Sequence, residues 1–143
     1  MDKITLKIFD KKYLPTLIDW YSNPNNRKYM LTQTISEDDA LRMIRDDEDR
    51  KCYSIMLNNL PIGYVILLDI KSHIGRIVIM IDEPFTKKGY GQQALFLLEK
   101  TAKKLGVKRL TLEVYPDNLP AVSLYKKIGY TVRDTTETME KKI

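Results

Sequence analysis

Residues that build disulfides, metal centres and thiol-based active sites are scarce in this sequence. Cys52 is the only cysteine and His73 the only histidine among the 143 residues. A lone cysteine excludes an internal disulfide and fits a reducing, cytoplasmic environment. A catalytic thiol would need His73 as its partner, whereas Cys52 fits an ordinary position at the start of a strand. We therefore expect a reaction with no covalent enzyme intermediate and no metal.

Long apolar stretches are missing as well. The longest, residues 63–70, has the length of a strand, whereas a membrane-spanning helix needs about 18 apolar residues. The sequence passes from Met1 almost directly into an alternating pattern, so we predict no signal peptide. No repeat and no linker rich in Pro, Gly or Ser divides the sequence. We expect one soluble domain over residues 1–143 with no membrane partner.

Positive charge is concentrated in the C-terminal part. Residues 1–85 contain 12 Lys/Arg and 13 Asp/Glu, whereas residues 86–143 contain 12 Lys/Arg and 6 Asp/Glu. The net charges of the two parts are therefore −1 and +6. A basic half can attract a phosphorylated ligand, and it can also be a solvated surface. Nucleic acid is not the expected partner, because the lysines lack a recognition motif and interleaved aromatic residues.

Hydrophobic spacing predicts the element order β-α-α-β-β-β-α-β-α-β. The predicted strands are 4–8, 52–57, 62–70, 76–81, 110–114 and 130–133, with 139–143 as a further candidate. The predicted helices carry the apolar faces Leu14, Leu17, Ile18 and Tyr21; Ala40, Leu41 and Ile44; Ala94, Leu97, Leu98, Ala102 and Leu105; and Ala121, Leu124, Tyr125 and Ile128. This order implies a mixed, mostly antiparallel sheet in an α/β (α+β) domain, with a right-handed parallel crossover over 76–114.

The densest chemical pattern is Thr-Lys-Lys-Gly-Tyr-Gly-Gln-Gln-Ala at residues 86–94, between a predicted strand and a predicted helix. Glycines let backbone N–H groups approach a ligand unobstructed, and the helix start adds a positive dipole end. Such a loop suits a phosphate or pyrophosphate, and Lys87 and Lys88 add charge to it. A plain loop with a glycine-assisted helix start explains the same residues.

The same segment also satisfies G-x-G-x-x-A, the fingerprint of dinucleotide-binding folds, with Glu113 about 20 residues onward. In that fold the first glycine follows its strand almost directly, whereas residues 82–88 intervene here. Only one further βα unit follows Glu113, too few for a doubly wound sheet. A Walker loop is excluded, because Gly-Lys followed by Ser or Thr does not occur. The spacing therefore argues against both nucleotide folds.

Residues 112–130 make the pattern more specific. They read L-E-V-Y-P-D-N-L-P-A-V-S-L-Y-K-K-I-G-Y, with the G-x-G loop upstream. This resembles the second half of the GNAT acetyltransferase family, whose pattern is L-x-V-x-x-x-N-x-x-A-x-x-L-Y-x-x-x-G-F/Y. The resemblance covers residues 62–133. The N-terminal half more loosely resembles the branch that acetylates ribosomal-protein N-termini and polyamines.

The resemblance implies acetyl-CoA as co-substrate and a GNAT-like single domain. The end of the fourth strand should splay from its neighbour and pair with the pantetheine arm, and the glycine loop should bind the pyrophosphate. The implied coenzyme-binding residues are Ile79, Met80, Ile81, Lys87, Lys88, Gly89, Tyr90, Gly91, Gln92, Asn118 and Tyr125. Asn118 is also a good N-cap for the helix that follows. Thr86 departs from the Gln or Arg usual in the family, and we expect a modest loss of affinity, because backbone amides do most of the binding.

Tyr125 and Glu113 are the catalytic candidates. The family places the phenol beside the coenzyme sulfur, where it protonates the departing thiolate, although Tyr125 also fits a core position. Some members use an acid at the position of Glu113 as general base, although a polar residue on the solvent side of a strand is expected there too. Weaker candidates are Asp82 and Glu83 for the base, and Tyr53, Asp69 and His73 for the wall of the substrate cleft.

We therefore expect an acetyl-CoA-dependent N-acetyltransferase that acts on a primary amine by direct attack in a ternary complex. A non-catalytic acyl-CoA sensor or interaction module on the same fold is the alternative, motivated by Thr86. Protein N-termini, polyamines, aminoglycosides and small amines all remain open as acceptors. The acidic residues 46–49 could attract a cationic acceptor, although a solvated helix end explains them as well. The family resemblance makes a homodimer a reasonable expectation.

Overall fold

The computed structural model describes residues 3–28, 34–132 and 138–143. Within them one sheet has seven strands in the order β1-β2-β3-β4-β5-β7-β6. The strands are β1 (Ile4–Ile8), β2 (Lys51–Leu57), β3 (Leu60–Leu68), β4 (Ile74–Ile81), β5 (Arg109–Glu113), β6 (Thr131–Val132) and β7 (Thr138–Lys142). The helices are α1 (Leu14–Ser22), α2 (Pro24–Arg27), α3 (Glu37–Met43), α4 (Tyr90–Lys104) and α5 (Leu119–Lys127).

The predicted fold class is confirmed. Neighbouring strands pair antiparallel, except β4 and β5, which are parallel and joined through α4. The element order also matches, with the short α2 added, and the candidate strand over 139–143 is observed as β7. β7 comes last along the chain, yet it lies between β5 and β6 and pairs with both. The sheet is therefore completed by insertion of a strand rather than by addition at its edge.

Buried side chains form one cluster on each face of the sheet, since side chains alternate along a strand. On one face α4 packs through its buried residues Ala94, Leu95, Leu98 and Ala102, and Ile128 lies in the same cluster. On the other face α1 packs through Leu14, Leu17, Trp20 and Tyr21, together with Ala40 of α3. The α1 cluster includes Tyr64 of β3 and Met80 of β4, which places these two side chains opposite the α4 side.

The backbones of β3 and β4 approach each other closely at Gly63. An ideal Cβ at this position would lie 2.1 Å from the carbonyl oxygen of Met80, so only glycine fits. One residue beyond β4, the N–H of Asp82 still donates to the carbonyl of Ile62 at 2.7 Å. β3 therefore supports β4 from Arg76 to its carboxyl end.

The helices have capping residues at their ends, and the predicted cap Asn118 is among them. Ser36 and Asp39 form a reciprocal capping box at α3, and Asn118 accepts from the N–H of Ala121 at α5. Gly106 and Gly129 follow α4 and α5 with φ of 88° and 103°, a conformation that favours glycine. Pro24 at the first helical position explains the short α2, which the hydrophobic spacing does not predict.

Three boundary predictions are wrong or incomplete. β3 ends at Leu68 rather than at residue 70, because Asp69 adopts a left-handed conformation with φ 59° before a turn of 3₁₀-helix. Leu105 follows the last turn of α4 and is 39% exposed, so it does not belong to the apolar face; Leu95 does. The strand predicted over 130–133 is observed as β6 (Thr131–Val132), and the last residue of that prediction, Arg133, lies outside the described residues.

Candidate active site

β4 and β5 separate toward their carboxyl ends. Their parallel register runs from Ile74↔Arg109 to Ile77↔Leu112. On its other side β4 stays paired with β3 as far as Ile81. Within the described sheet, residues 78–81 therefore have a strand neighbour on one side only. The predicted splay of this strand end is observed.

Backbone N–H and C=O groups of β4 point into the gap between β4 and β5. The carbonyl oxygen of Met80 faces β3, since it lies close to Gly63, and Asp82 bonds to β3 as well. Successive peptide groups of a strand point to opposite edges, so those of Ile79 and Ile81 point into the gap. They are positioned to pair with an extended ligand as a neighbouring strand would.

A cleft of about 820 Å³ occupies this fork. It is lined by residues of β4, β5 and the glycine loop, and also by residues of α1, α2, β3 and α5. Among the residues predicted for the site, Ile79, Met80, Ile81, Lys87, Gly89, Tyr90, Gly91, Gln92, Glu113, Asn118 and Tyr125 line it. Lys88 is exposed beside the loop and is not part of the wall. The fold thus gathers ten of the eleven predicted coenzyme residues, together with Glu113, around one opening.

The cleft passes through the sheet, because its walls come from both faces. Ile79 and Ile81 pack against the α4 cluster, whereas Met80 and Tyr64 belong to the α1 cluster. Leu112 also lies in the α4 cluster, so its neighbour Glu113 points to the α1 side. We call the two halves of the cleft the α4 side and the α1 side.

The glycine loop forms one end of the α4 side. Gly89 caps α4 with φ 84°, and a Cβ added there would meet no atom within 4 Å, so the space beside it is open. The first α-helical bond runs from the N–H of Gln93 to the carbonyl of Gly89. The amides of Gly91 and Gln92 precede it and have no acceptor inside the helix. Together with the exposed Lys87, this end of the cleft suits an anion.

Thr86, the departure from the family pattern, is engaged within its own turn. Its hydroxyl donates to the carbonyl of Glu83 at 2.7 Å, and its N–H donates to the same carbonyl at 3.1 Å. The side chain therefore stabilises the turn that leads from β4 into the glycine loop. Phe85, in the same turn, lines the cleft.

Tyr125 lies on α5 and lines the cleft. It makes an edge-to-face contact with Tyr130, with ring centroids 6.1 Å apart. Burial raises the pKa of Tyr125 to about 12, so this phenol stays protonated at neutral pH. A protonated phenol on the cleft wall is a hydrogen-bond donor rather than a base.

The acidic candidates differ in their surroundings. Glu113 and Glu83 are exposed and line the cleft. Asp82 is not part of the wall; it accepts a hydrogen bond from the amide of Asn26 at 2.8 Å. Glu113 and Glu83 are thus the carboxylates available to a molecule in the cleft.

The α1 side contains residues that the sequence analysis missed. The hydroxyls of Tyr21 and Tyr64 lie 2.5 Å apart, and both residues line the cleft. Asn26 also lines it, and its amide connects α1 to the end of β4 by donating to the carbonyl of Trp20 and to Asp82 and accepting from the N–H of Glu83. Tyr21 was visible only as one apolar position of α1, and no motif marks Tyr64 or Asn26.

The three residues predicted to line the substrate cleft are not in its wall. Tyr53 packs in the α4 cluster, Asp69 pairs with Arg76, and the ring of His73 bonds to the carbonyl of Gly106. His73 therefore sits at the opposite end of β4 and does not meet Cys52. Burial raises the pKa of the Cys52 thiol to about 12, which keeps it protonated and unreactive.

The geometry above can be compared with known proteins. A model of the acetyltransferase (GNAT) family matches residues 14–130. This chain belongs to the GNAT acetyltransferase family. It is similar to an N-acetyltransferase 9-like protein of Nematostella vectensis, with 27% identity over 162 aligned residues that cover 97% of this chain and 80% of that protein.

Solved structures show the same fold for this GNAT chain. The aminoglycoside acetyltransferase AAC(6')-Ib, in complex with paromomycin and acetyl-CoA, has a TM-score of 0.84 at 19% identity, covering 99% of this chain and 94% of that one. RimL, a ribosomal L7/L12 α-N-protein acetyltransferase, has a TM-score of 0.82 at 15% identity, covering 99% and 91%. The predicted family is confirmed, and the two neighbours have different acceptors.

The described residues contain neither a membrane-spanning helix nor a cluster of metal ligands. None of the helices in residues 3–28, 34–132 and 138–143 has the length and apolar character needed to cross a bilayer. In that same part of the chain, no group of three or more His, Cys, Asp or Glu is arranged to hold a metal ion. The cytoplasmic location, the homodimer and the absence of a nucleic-acid partner stay predictions.

Proposed function

We propose that this GNAT chain transfers an acetyl group from acetyl-CoA to a primary amine by direct attack in a ternary complex. One observation carries the proposal: the β4–β5 fork brings free-edged backbone, a glycine loop and a protonated phenol into one cleft. Acetyl-CoA supplies the activated acetyl group. Along the α4 side, the groups that fit the acetyl end, the pantetheine arm and the pyrophosphate follow one another in the same order as these parts do in acetyl-CoA.

Backbone groups provide most of the coenzyme site. The peptide groups of Ile79 and Ile81 pair with the amides of the pantetheine arm, with Met80 between them. The amides of Gly91 and Gln92 at the start of α4 receive the pyrophosphate, with Tyr90 beside them on the cleft wall, and Lys87 adds its charge. Gly89 leaves the room that a side chain would fill. Lys88 contributes to the field around the loop, and Asn118 combines capping with coenzyme contact.

The acetyl end lies where β4 leaves β5. A backbone N–H of β4 that points into the gap donates to the thioester carbonyl as negative charge develops on its oxygen. Tyr125 donates to the departing sulfur. A thiol has an ordinary pKa of about 8.5, so a phenol with a pKa of about 12 stabilises the thiolate chiefly through a hydrogen bond.

The amine approaches from the α1 side and must lose a proton. Glu113 points to this side and is exposed, so it serves as general base through a water. Glu83, on the same cleft wall, is the second candidate for this role. Glu113→Gln and Glu83→Gln, compared with the same amine at one pH, distinguish the two carboxylates, because loss of the base lowers kcat whereas loss of the other carboxylate leaves it near the wild-type value.

Thiol release from acetyl-CoA, measured with spermidine, kanamycin and a hexapeptide bearing a free α-amine, tests the proposal. We expect release with at least one amine. Tyr125→Phe should lower kcat about 100-fold while the Kd for CoA changes less than about twofold. Tyr13→Phe, a change outside the cleft, is the matched control and should leave kcat unchanged. Full activity of Tyr125→Phe at all pH values would remove the assigned role of this phenol.

A non-catalytic acyl-CoA sensor is the second candidate, and the position of Thr86 favours it. Because its hydroxyl is bonded within its own turn, Thr86 does not replace the longer Gln or Arg side chain usual at this place. A sensor would bind CoA in calorimetry and release no thiol with any of the amines. Thiol release by the wild-type protein rejects this alternative.

A further inference from the structure

Two buried tyrosines with hydrogen-bonded hydroxyls line the α1 side of the cleft. Tyr21 comes from α1 and Tyr64 from β3, and their hydroxyl oxygens are 2.5 Å apart. The two residues are only 4% and 2% exposed, yet both line the cleft. Burying hydroxyls has a desolvation cost that phenylalanine in the same space would avoid. A buried polar pair on a cleft wall therefore indicates a ligand with complementary groups.

The pair has unused hydrogen-bonding capacity. Each phenol has one O–H and two acceptor lone pairs, and the bond between them uses one proton and one lone pair. Burial raises the pKa of Tyr21, and burial also raises that of Tyr64 well above its ordinary value. Both hydroxyls are therefore neutral at physiological pH. They can accept an N–H without taking a proton from it.

The position of the pair complements the coenzyme site. Tyr64 is opposite Met80 in the β3–β4 register, and both side chains lie in the α1 cluster. The backbone groups of Ile79 and Ile81 flank Met80 and point into the fork. A small group beside Met80 can therefore contact the phenols on the α1 side while it faces the gap between β4 and β5.

We propose that the Tyr21–Tyr64 hydroxyl pair binds the acceptor amine. A phenol oxygen accepts one N–H of the neutral amine, which leaves the nitrogen lone pair directed toward the fork. The pair thus orients the nucleophile, and the proton lost on attack goes to the carboxylate base. This inference rests on the proposed function and adds the acceptor site to it.

The experiment compares Tyr21→Phe, Tyr64→Phe and the double variant, using the amine with the highest rate among spermidine, kanamycin and the hexapeptide. Each single change should raise the acceptor KM about tenfold, since one hydrogen bond to the amine is lost or misdirected. The double variant should resemble the single ones, because losing either hydroxyl disrupts the pair. Tyr53→Phe, a buried tyrosine of the α4 cluster outside the cleft wall, is the control and should leave KM unchanged.

The Kd for CoA and the thermal midpoint separate acceptor binding from a structural role. We expect the Kd for CoA to stay within about twofold in all variants. The inference is overturned if both single variants keep the wild-type acceptor KM, or if the Kd for CoA rises as much as KM does.

Failure of the proposed function gives a different result. If the wild-type protein releases no thiol, spermidine is titrated calorimetrically into the CoA-loaded protein. Binding that Tyr64→Phe abolishes would support the acceptor site and reject the catalytic proposal. No binding by the wild-type protein would overturn both.

Discussion

The two sides of the cleft are built in different ways. The α4 side uses backbone: a strand end without a second neighbour, two glycines and the start of a helix. The α1 side uses side chains from distant segments, such as Tyr21 with Tyr64 and Asn26 with Asp82. A backbone site binds a constant ligand, whereas a side-chain site can change by substitution without altering the fold. The difference suggests that the coenzyme is fixed by the fold and the acceptor by a few residues.

The largest expected effect concerns the strand that both sides share. Gly63→Ala would place a Cβ 2.1 Å from the carbonyl oxygen of Met80, so β3 and β4 must separate. We expect a loss of about 3 kcal/mol in the free energy of unfolding, measured by urea denaturation. Gly91→Ala is the control, because its Cβ would only touch Leu124 at 3.6 Å, and stability should not fall. Equal stability of the two variants would show that β4 is not held by this close approach.

Asn26→Ala tests whether the α1 side can be damaged by itself. The change removes hydrogen bonds to Trp20, Asp82 and Glu83, and we expect a loss of about 2 kcal/mol in stability and a higher acceptor KM. The Kd for CoA, measured by calorimetry, should change little. The control Asn59→Ala, in the exposed turn between β2 and β3, should change neither the stability nor the acceptor KM. A rise in the Kd for CoA equal to the rise in KM would erase the distinction between the sides.

Lys87→Ala and Lys88→Ala sharpen the description of the α4 side. Only Lys87 lines the cleft, although both residues are exposed beside the loop. We expect Lys87→Ala to raise the Kd for CoA about threefold at low salt, and Lys88→Ala to have a smaller effect. The difference should shrink in high salt, because exposed charges are screened. A larger effect at Lys88 would mean that general charge, rather than the wall of the cleft, attracts the coenzyme.

The smallest expected effect is the pH response of Tyr125. Its pKa is about 12 in the folded protein and about 10 when exposed, because burial disfavours the phenolate. The contribution of the neutral Tyr125 phenol to the free energy of unfolding is therefore complete below about pH 10, and it is lost as the pH rises through about 12. The rate should rise as the amine deprotonates and show no descending limb below about pH 10. A descending limb near neutral pH that disappears in Tyr125→Phe would contradict this assignment.

The same comparison explains how much the sequence could predict. The α4 side depends on local patterns: glycines at set spacing, an N-cap asparagine and the apolar face of α5, all within residues 86–130. Tyr21 and Tyr64 are 43 residues apart and Asn26 and Asp82 are 56 apart, and nothing local marks either contact. Tyr53, a tyrosine in the same hairpin as Tyr64, is one of the residues that the sequence analysis expects in the cleft wall. It packs on the face of the sheet opposite to Tyr64. The sequence could not show this, because the strands of this hairpin are buried on both faces and lack the polar alternation that reveals which side of the sheet each residue occupies.

The inserted position of β7 has a consequence for how the domain is assembled. Within the described sheet, β5 takes its second partner from residues 138–142, and β6 is joined to β5 through that strand. A nascent chain that has emerged only through α5 would present β5 with one open, hydrogen-bonding edge. Such an edge can pair with other chains, so we expect the five-residue strand β7 to protect the domain from aggregation by covering it.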